Sequence, residues 1–281
     1  MSYPSMALTG ATGQLGGLIA QRLAERKVSL RLLARKPQKA PDIRDAVAIR
    51  STYTDDDSTR ESLANVDVLF MVSGAESADR LDQHCAFVDA AAAAGVGHIV
   101  YTSFNAAAHD AVFTLARDHW ATEQHIIDRG LRYTFLRNSL YTDVLPELVG
   151  DDGVLRGPAG EGRLASVTRA DIAAVAAVVL QDPAAHLGAT YTLTGPEALT
   201  LTEVAEAISE ATGRTVSFHN ETVAEAYESR RRWDAPQWEC DAWVSTYLAI
   251  AAGDFGDVTD DVCAITGRDP QSLRSFLRQR C

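Results

Sequence analysis

Gly10-Ala11-Thr12-Gly13-Gln14-Leu15-Gly16 follows a short apolar stretch, residues 6–9, and opens an amphipathic segment, residues 15–26. A parallel strand that turns straight into a helix leaves backbone N–H groups pointing at the turn. Glycine there lets an anion approach those groups and the positive end of the helix dipole. Three glycines spaced G-x-x-G-x-x-G, with a strand before, a helix after and a further strand beginning near residue 28, form the pattern of a dinucleotide-binding turn. The diphosphate is then expected at Gly10, Gly13 and Gly16.

Outward from that turn, strand-like and helix-like segments alternate. The strand candidates after the first are residues 28–34, 46–50, 66–72, 98–102 and 132–137, and helical patterns cover 15–26, 58–64, 79–94 and 115–128. Gly95 and Gly130 stop two of these helices, as C-terminal caps do. The alternation predicts an α/β fold, a Rossmann-type doubly wound parallel sheet with right-handed crossovers and a ligand crevice at the strands' carboxyl ends. Near residue 150 the texture changes: Gly150, Gly153, Gly157, Pro158, Gly160 and Gly162 read as a loop or hairpin. We therefore expect an NAD(P)-binding domain over 1–149, rejoined by part of 165–195, and a smaller, mainly helical substrate region over 150–281, interleaved with it. In the latter, 169–180 reads as a buried helix, 189–194 as a strand, and 201–211, 222–231 and 241–252 as helical. Asp269-Pro270 reads as the cap and first position of a terminal helix over 271–280.

The second strand ends Leu32-Leu33-Ala34-Arg35-Lys36, without the carboxylate that bonds the ribose hydroxyls of NAD. Arg35, with Lys36 or Lys39, suits the 2′-phosphate of NADP, because a guanidinium matches phosphate geometry in bidentate fashion; the bland alternative is a solvated basic strand end. Other strand ends carry Val72-Ser73-Gly74, Tyr101-Thr102-Ser103-Phe104 and Arg137-Asn138-Ser139-Leu140-Tyr141. Ser73, Thr102 and Asn138 there are suited to bond the nicotinamide ribose or carboxamide, and Phe104 and Tyr141 to wall a flat substrate. Each is read alternatively as a cap of the helix that follows.

A chain of 281 residues with net charge −12 repels polyanions, so nucleic acid is not an expected partner. The cluster Arg230-Arg231-Arg232 lies among acidic neighbours and reads as a solvated helix face. Four cysteines, at 85, 240, 263 and 281, lack a C-x-x-C spacing and suit a reducing compartment. The longest apolar run, 172–180, is about half of the roughly 20 residues that span a bilayer, so a cytoplasmic location and no membrane contact are expected. His119 and Glu123 lie four apart on one helical face, which reads as an intrahelical pair on a solvated or cofactor-facing surface rather than a metal site. Trp233, Trp238 and Trp243 read as core or interface residues, with a lid over an aromatic substrate as the alternative.

Several longer stretches carry a family resemblance: T-G-A-T-G-Q-L-G (9–16), A-R-K-P (34–37), G-V-G-H-I-V-Y-T-S (95–103), A-T-E-Q (121–124), Y-T-F-L-R-N-S-L-Y (133–141), G-R-L-A-S-V-T-R-A-D-I-A (162–173), Y-T-L-T-G-P-E-A-L-T (191–200) and T-D-D…I-T-G-R (259–268). On these the chain resembles the NmrA-like group of atypical short-chain dehydrogenase/reductases, and within it the NADPH-dependent quinone oxidoreductase type 2 branch. The Tyr-x-x-x-Lys pair of the wider superfamily falls on Leu115 and His119, and histidine at the second place resembles the quinone branch. That branch has Gly-Trp-Tyr where this chain has Ser139-Leu140-Tyr141. The resemblance implies hydride transfer from NADPH to a quinone or similar small, planar, electron-poor acceptor, without flavin or metal. It implies Thr12, Gln14 and Leu15 with the glycines at the pyrophosphate, Val72 and Ser73 near the adenine-side ribose or pyrophosphate, and Asn138 near the nicotinamide. Tyr141, Phe104 and His119 then face the substrate, with Tyr141, Asn138 or His119 stabilising the nascent anion. The partner expected is a small-molecule substrate, with a homodimer left open. A regulatory protein that binds NADP without turnover is the alternative, since the superfamily's usual acid is missing.

Overall fold

A computed structural model describes residues 3–280. Its first half alternates as β1 (Met6–Thr9), α1 (Gln14–Glu25), β2 (Leu30–Ala34), β3 (Ala46–Arg50), α2 (Asp57–Leu63), β4 (Val68–Met71), α3 (Arg80–Ala93), β5 (His98–Phe104), α4 (Thr114–Asp128) and β6 (Arg132–Asn138). There follow β7 (Val154–Gly157), β8 (Arg163–Leu164), α5 (Arg169–Val179), β9 (Thr190–Leu193), β10 (Leu199–Thr200), α6 (Leu201–Thr212), β11 (Ser217–Asn220), α7 (Val223–Arg230), α8 (Gln237–Ala252), α9 (Asp261–Thr266) and α10 (Leu273–Arg278).

Seven strands form one sheet in the order β3-β2-β1-β4-β5-β6-β9. β1 pairs in parallel with both β2 and β4, through Ala7 opposite Arg31 on one side and Leu69 on the other. The strand order therefore reverses beside β1, which is where a doubly wound sheet opens its crevice. β2 is buried along its whole length, as a strand covered on both faces must be. On α1 the residues Leu15, Ile19, Ala20 and Leu23 are buried, a helical stripe that turns one face inward. Full burial of a leucine side chain such as Leu23 contributes about 1.5–3 kcal/mol.

The chain divides into two units: one comprises residues 1–103, 118–137 and 172–191, the other 104–117, 138–171 and 192–281. The chain passes between them repeatedly, and 172–191, within the stretch 165–195, lies in the first unit. The first unit's core gathers Leu69, Met71, Phe87, Ile99, Tyr101, Ile126 and Phe135. The second unit has its own core around Phe113, Leu145, Leu164, Ile208, Tyr247 and Phe255.

The glycine-rich stretch after 150 turns as a loop, closed by an antiparallel bridge between Val149 and Leu155, while β7 pairs in parallel with β11 and β8 antiparallel with β10. Four other expectations are corrected. Arg230 is not solvated: it is 5% exposed, donates to Glu221 Oε2 at 2.9 Å and lies over the Tyr247 ring, while Arg231 and Arg232 are exposed. The last helix starts at Leu273, capped by Ser272, whose side chain accepts from the Ser275 N–H. Asp269-Pro270 lies upstream because the Gln271 N–H is tied to Asp171 Oδ2 at 2.8 Å. Glu123 is 1% exposed and turned away from solvent; it takes two bonds from Arg137, at 2.9 and 2.5 Å, and one from Ser103 Oγ at 2.5 Å, fastening α4 to β5 and β6. Trp233 is exposed and meets Trp243 edge to face at 5.5 Å, so it is not a core residue. Cys85, Cys240 and Cys263 are free thiols, and Cys281 lies outside the described residues. Among the described residues no helix is long and apolar enough to cross a membrane.

Candidate active site

In the first unit, the turn after β1 has the build of an anion cradle. Gly10 sits at φ +70°, and the Gly13 N–H donates to Gly10 O at 2.9 Å. A Cβ on Gly10 would stand 2.9 Å from Val72 Cβ, and one on Gly16 only 2.2 Å from Gly10 O. The turn is thus closed against side chains at two of its glycines. Gly13 caps α1 in extended backbone, and no side chain caps the helix, so its first amides remain open to a ligand. Thr12, Gly13 and Gln14 are exposed, and Leu15 and Gly16 are buried beneath them.

Beside the cradle, the Val72 N–H donates to Thr9 Oγ1 at 2.8 Å, and Tyr53, whose hydroxyl is 2.8 Å from the same Oγ1, donates to Val72 O. Burial raises the Tyr53 phenol above its ordinary pKa and keeps it a neutral donor. Ser73 is half-buried, and its N–H donates to Thr102 Oγ1 at 2.7 Å; Thr102 is 1% exposed and acts as a strut between β4 and β5. Tyr53 escapes sequence reasoning, since nothing in Ser51-Thr52-Tyr53 announces a partner on another strand. Arg35 follows β2, exposed, with no hydrogen bond or ion pair to the described residues. Lys36 and Lys39 are likewise exposed.

His119 is held differently from an open substrate-facing imidazole. It is 5% exposed; Arg80 Nη2 donates to its Nε2 at 2.7 Å, and its Nδ1 lies 2.9 Å from Tyr101 Oη. An arginine only donates, so Nε2 accepts and the proton resides on Nδ1. Burial, with Arg80 adding to it, holds the His119 pKa well below the ordinary value. A second neutral imidazole lies nearby: His84 Nε2 accepts from the Gly74 N–H at 2.8 Å, and Nδ1 donates to Thr122 Oγ1 at 2.9 Å. Desolvation and the Arg80 charge push its pKa down to about 3.

These buried neutral histidines predict an acid-sensitive fold. An unfolded histidine takes up a proton below about pH 6.5 while folded His84 stays neutral to about pH 3. Protons then bind more to the unfolded chain, and stability falls as pH drops through that window. Each such histidine contributes a slope of about 1.4 kcal/mol per pH unit. Urea unfolding at pH 6 and pH 5 is expected to show it, and His84→Gln to remove about 1.4 kcal/mol per unit of it; an unchanged slope in the variant contradicts the assignment.

In the second unit, Asn138 ends β6 at 1% exposure, and its backbone O accepts from the Asn105 N–H at 2.8 Å. Its side-chain Oδ1 and Nδ2 are both buried without a partner, as is the adjacent Ser139 Oγ. An orphaned buried amide is costly, and a ligand that supplies both donor and acceptor explains it. Tyr141 is half-buried, with the Arg169 guanidinium carbon 4.8 Å from its ring centroid. Phe104 is half-buried and packs on Phe113 and Phe255 at 5.0 and 5.5 Å. Among the described residues no group of three or more His, Cys, Asp or Glu is placed to hold a metal.

A family profile described as NAD(P)H-binding matches residues 10–183. The chain is 32% identical to quinone oxidoreductase 2 of Escherichia coli over 275 residues, 95% of this chain and 96% of that protein. It is 30% identical to an NAD(P)H azoreductase of Xenophilus azovorans over 278 residues, 96% of each chain. Among solved structures, triphenylmethane reductase of Citrobacter sp. complexed with NADP(H) superposes with a TM-score of 0.87 at 32% identity, covering 98% of this chain and all of that one. The glycine cradle at the strand-order reversal and this end-to-end similarity agree: the chain belongs to the NAD(P)H-binding family.

Proposed function

We propose that this NAD(P)H-dependent oxidoreductase passes hydride from NADPH to a quinone or a similarly planar, electron-poor acceptor, with neither flavin nor metal taking part. NADPH, when bound, supplies the hydride. Gly10, Gly13 and Gly16 with Thr12, Gln14 and Leu15 hold the diphosphate in this reading, and Val72 and Ser73 border it. Arg35 takes the 2′-phosphate. The orphaned Asn138 amide meets the nicotinamide end, both donating and accepting, and Phe104 and Tyr141 wall the acceptor. The similarity to a quinone oxidoreductase, an azoreductase and a dye reductase supports an acceptor of this kind. Free thiols at Cys85, Cys240 and Cys263 support a reducing, cytoplasmic setting.

The observation that carries the choice of acceptor is the state of His119. It stands at the lysine place of the superfamily's usual pair, Leu115 stands at the tyrosine place, and both ring nitrogens of His119 are engaged by Arg80 and Tyr101. No acid is therefore poised there to protonate an alkoxide as an alcohol forms, and His119 serves as a positioning residue. A quinone or azo acceptor asks less: its anion is delocalised, is stabilised by donors such as Tyr141 and Asn138, and is protonated by solvent.

Loss of NADPH absorbance with a panel of quinones, azo dyes and simple ketones tests this. Quinones or dyes are expected to be reduced without added flavin, and ketones not. Asn138→Leu is expected to lower kcat/KM by about tenfold to 100-fold, the effect of losing one or two hydrogen bonds to a buried ligand. Tight NADPH binding with no oxidation by any acceptor contradicts the proposal and favours a redox-sensing regulator.

A further inference from the structure

Residues 72–74 leave the carboxyl end of β4, and side chains from three different elements take their successive amides. The Val72 N–H donates to Thr9 Oγ1 of β1 at 2.8 Å, the Ser73 N–H to Thr102 Oγ1 of β5 at 2.7 Å, and the Gly74 N–H to His84 Nε2 of α3 at 2.8 Å. Thr9, Thr102 and His84 are all buried. Most side-chain hydrogen bonds to backbone are scattered singly, since main chain and water satisfy most amides. Three in a row clamp this segment beyond what the sheet ladder does.

The last of the three bonds is tied to a second helix. His84 Nε2 accepts, so the proton resides on Nδ1 and is directed at Thr122 Oγ1, 2.9 Å away, and Thr122 Oγ1 donates to Asp118 O at 2.7 Å. The bonds run one way, from the Gly74 amide through the imidazole to the main chain of α4. A protonated imidazole could not accept from Gly74, and burial with the Arg80 charge keeps the ring neutral. The ring also sits close against the loop, for a Cβ on Gly74 would stand 3.3 Å from Nε2.

At its other end the clamped segment presses on the glycine turn after β1. A Cβ on Gly10 would stand 2.9 Å from Val72 Cβ and 3.1 and 3.2 Å from its two methyl carbons, so Val72 occupies the space over Gly10. Gly10 O in turn accepts from the Gly13 N–H at 2.9 Å, at the start of α1. A shift of residues 72–74 therefore reaches the turn directly. Binding groups keep their geometry only where the residues behind them are locked by packing and hydrogen bonds.

We infer that His84 is a positioning residue for the cofactor, acting through Gly74 and Val72 to hold the turn at Gly10 in its binding shape. This deepens the reading of that turn as the diphosphate site and rests on it. His84 itself is fully buried and touches the loop rather than the ligand.

Fluorescence titration of the full chain with NADPH tests this. His84→Leu removes the acceptor for Gly74 and is expected to raise the NADPH dissociation constant about tenfold. His84→Gln, whose amide oxygen can accept from the Gly74 N–H, is expected to return it to within about threefold of the unaltered chain. Thr122→Val leaves the imidazole in place without its anchor and is expected to weaken binding about fivefold, which decides the point if His84→Leu does not fold. In turnover with any acceptor that the unaltered chain reduces, KM for NADPH is expected to rise with these losses while kcat stays within about twofold. A role in stability alone would lower the melting temperature and leave the dissociation constant of the folded variants unchanged. That result, or a loss of affinity that His84→Gln does not recover, overturns the inference. Absence of NADPH binding by the unaltered chain instead overturns the diphosphate reading itself, and the role of His84 falls with it.

Discussion

Replacing Gly16 by alanine is expected to weaken NADPH binding at least about 100-fold, the loss of two charge-assisted hydrogen bonds at about 1.5–3 kcal/mol each. The added Cβ would stand 2.2 Å from Gly10 O and 2.5 Å from Gly10 C. Both are main-chain atoms, so no rotamer relieves the contact. The turn must open, and the amides at the start of α1 then leave the positions from which they converge on one anion. Gly17→Ala is the control, because its Cβ would meet Ala11 O at 3.4 Å, and its effect is expected to stay within about threefold. Fluorescence titration with NADPH measures both variants, and their unliganded melting temperatures report any loss of fold. Unchanged affinity in a folded Gly16→Ala contradicts the assignment of the cradle.

The residues whose role depends on one strand and its adjoining turn were the legible ones. β1 and β3 fall on the residues their apolar runs indicate, because a glycine or a polar cluster ends each run. The cradle could be read for the same reason: glycine spacing, strand and helix are contiguous in sequence. Asn138 was visible as a polar residue at the end of a strand. By contrast, β8 and β10 contain two residues each, too few for any periodicity to show. Arg230, Glu123 and His119 lie at helical positions that look solvated from neighbours in sequence. Their burial is set by Glu221, Arg137 and Arg80, from other segments of the chain. Tyr53 and His84 are hidden similarly, since hydrogen bonds across strands leave no spacing in the sequence.

Arg35 carries the second large effect. Arg31, four residues earlier on β2, is 1% exposed and spends its guanidinium on Ser62 O and Ala64 O at 2.8 and 2.9 Å. Arg35 follows the strand's carboxyl end, exposed and free of such partners among the described residues. A bidentate guanidinium–phosphate contact of about 3 kcal/mol corresponds to about a 100-fold preference for the phosphorylated cofactor. Lys36 and Lys39 add charge to the same surface without the fork.

Calorimetry of the unaltered chain and of Arg35→Ala, each titrated with NADPH and NADH, tests the central claim most directly. The expected result is a preference for NADPH of about 100-fold in the unaltered chain that falls to within about threefold in the variant, with NADH affinity little changed. Equal affinity for the two nucleotides in the unaltered chain, or a preference that survives the loss of Arg35, would contradict it.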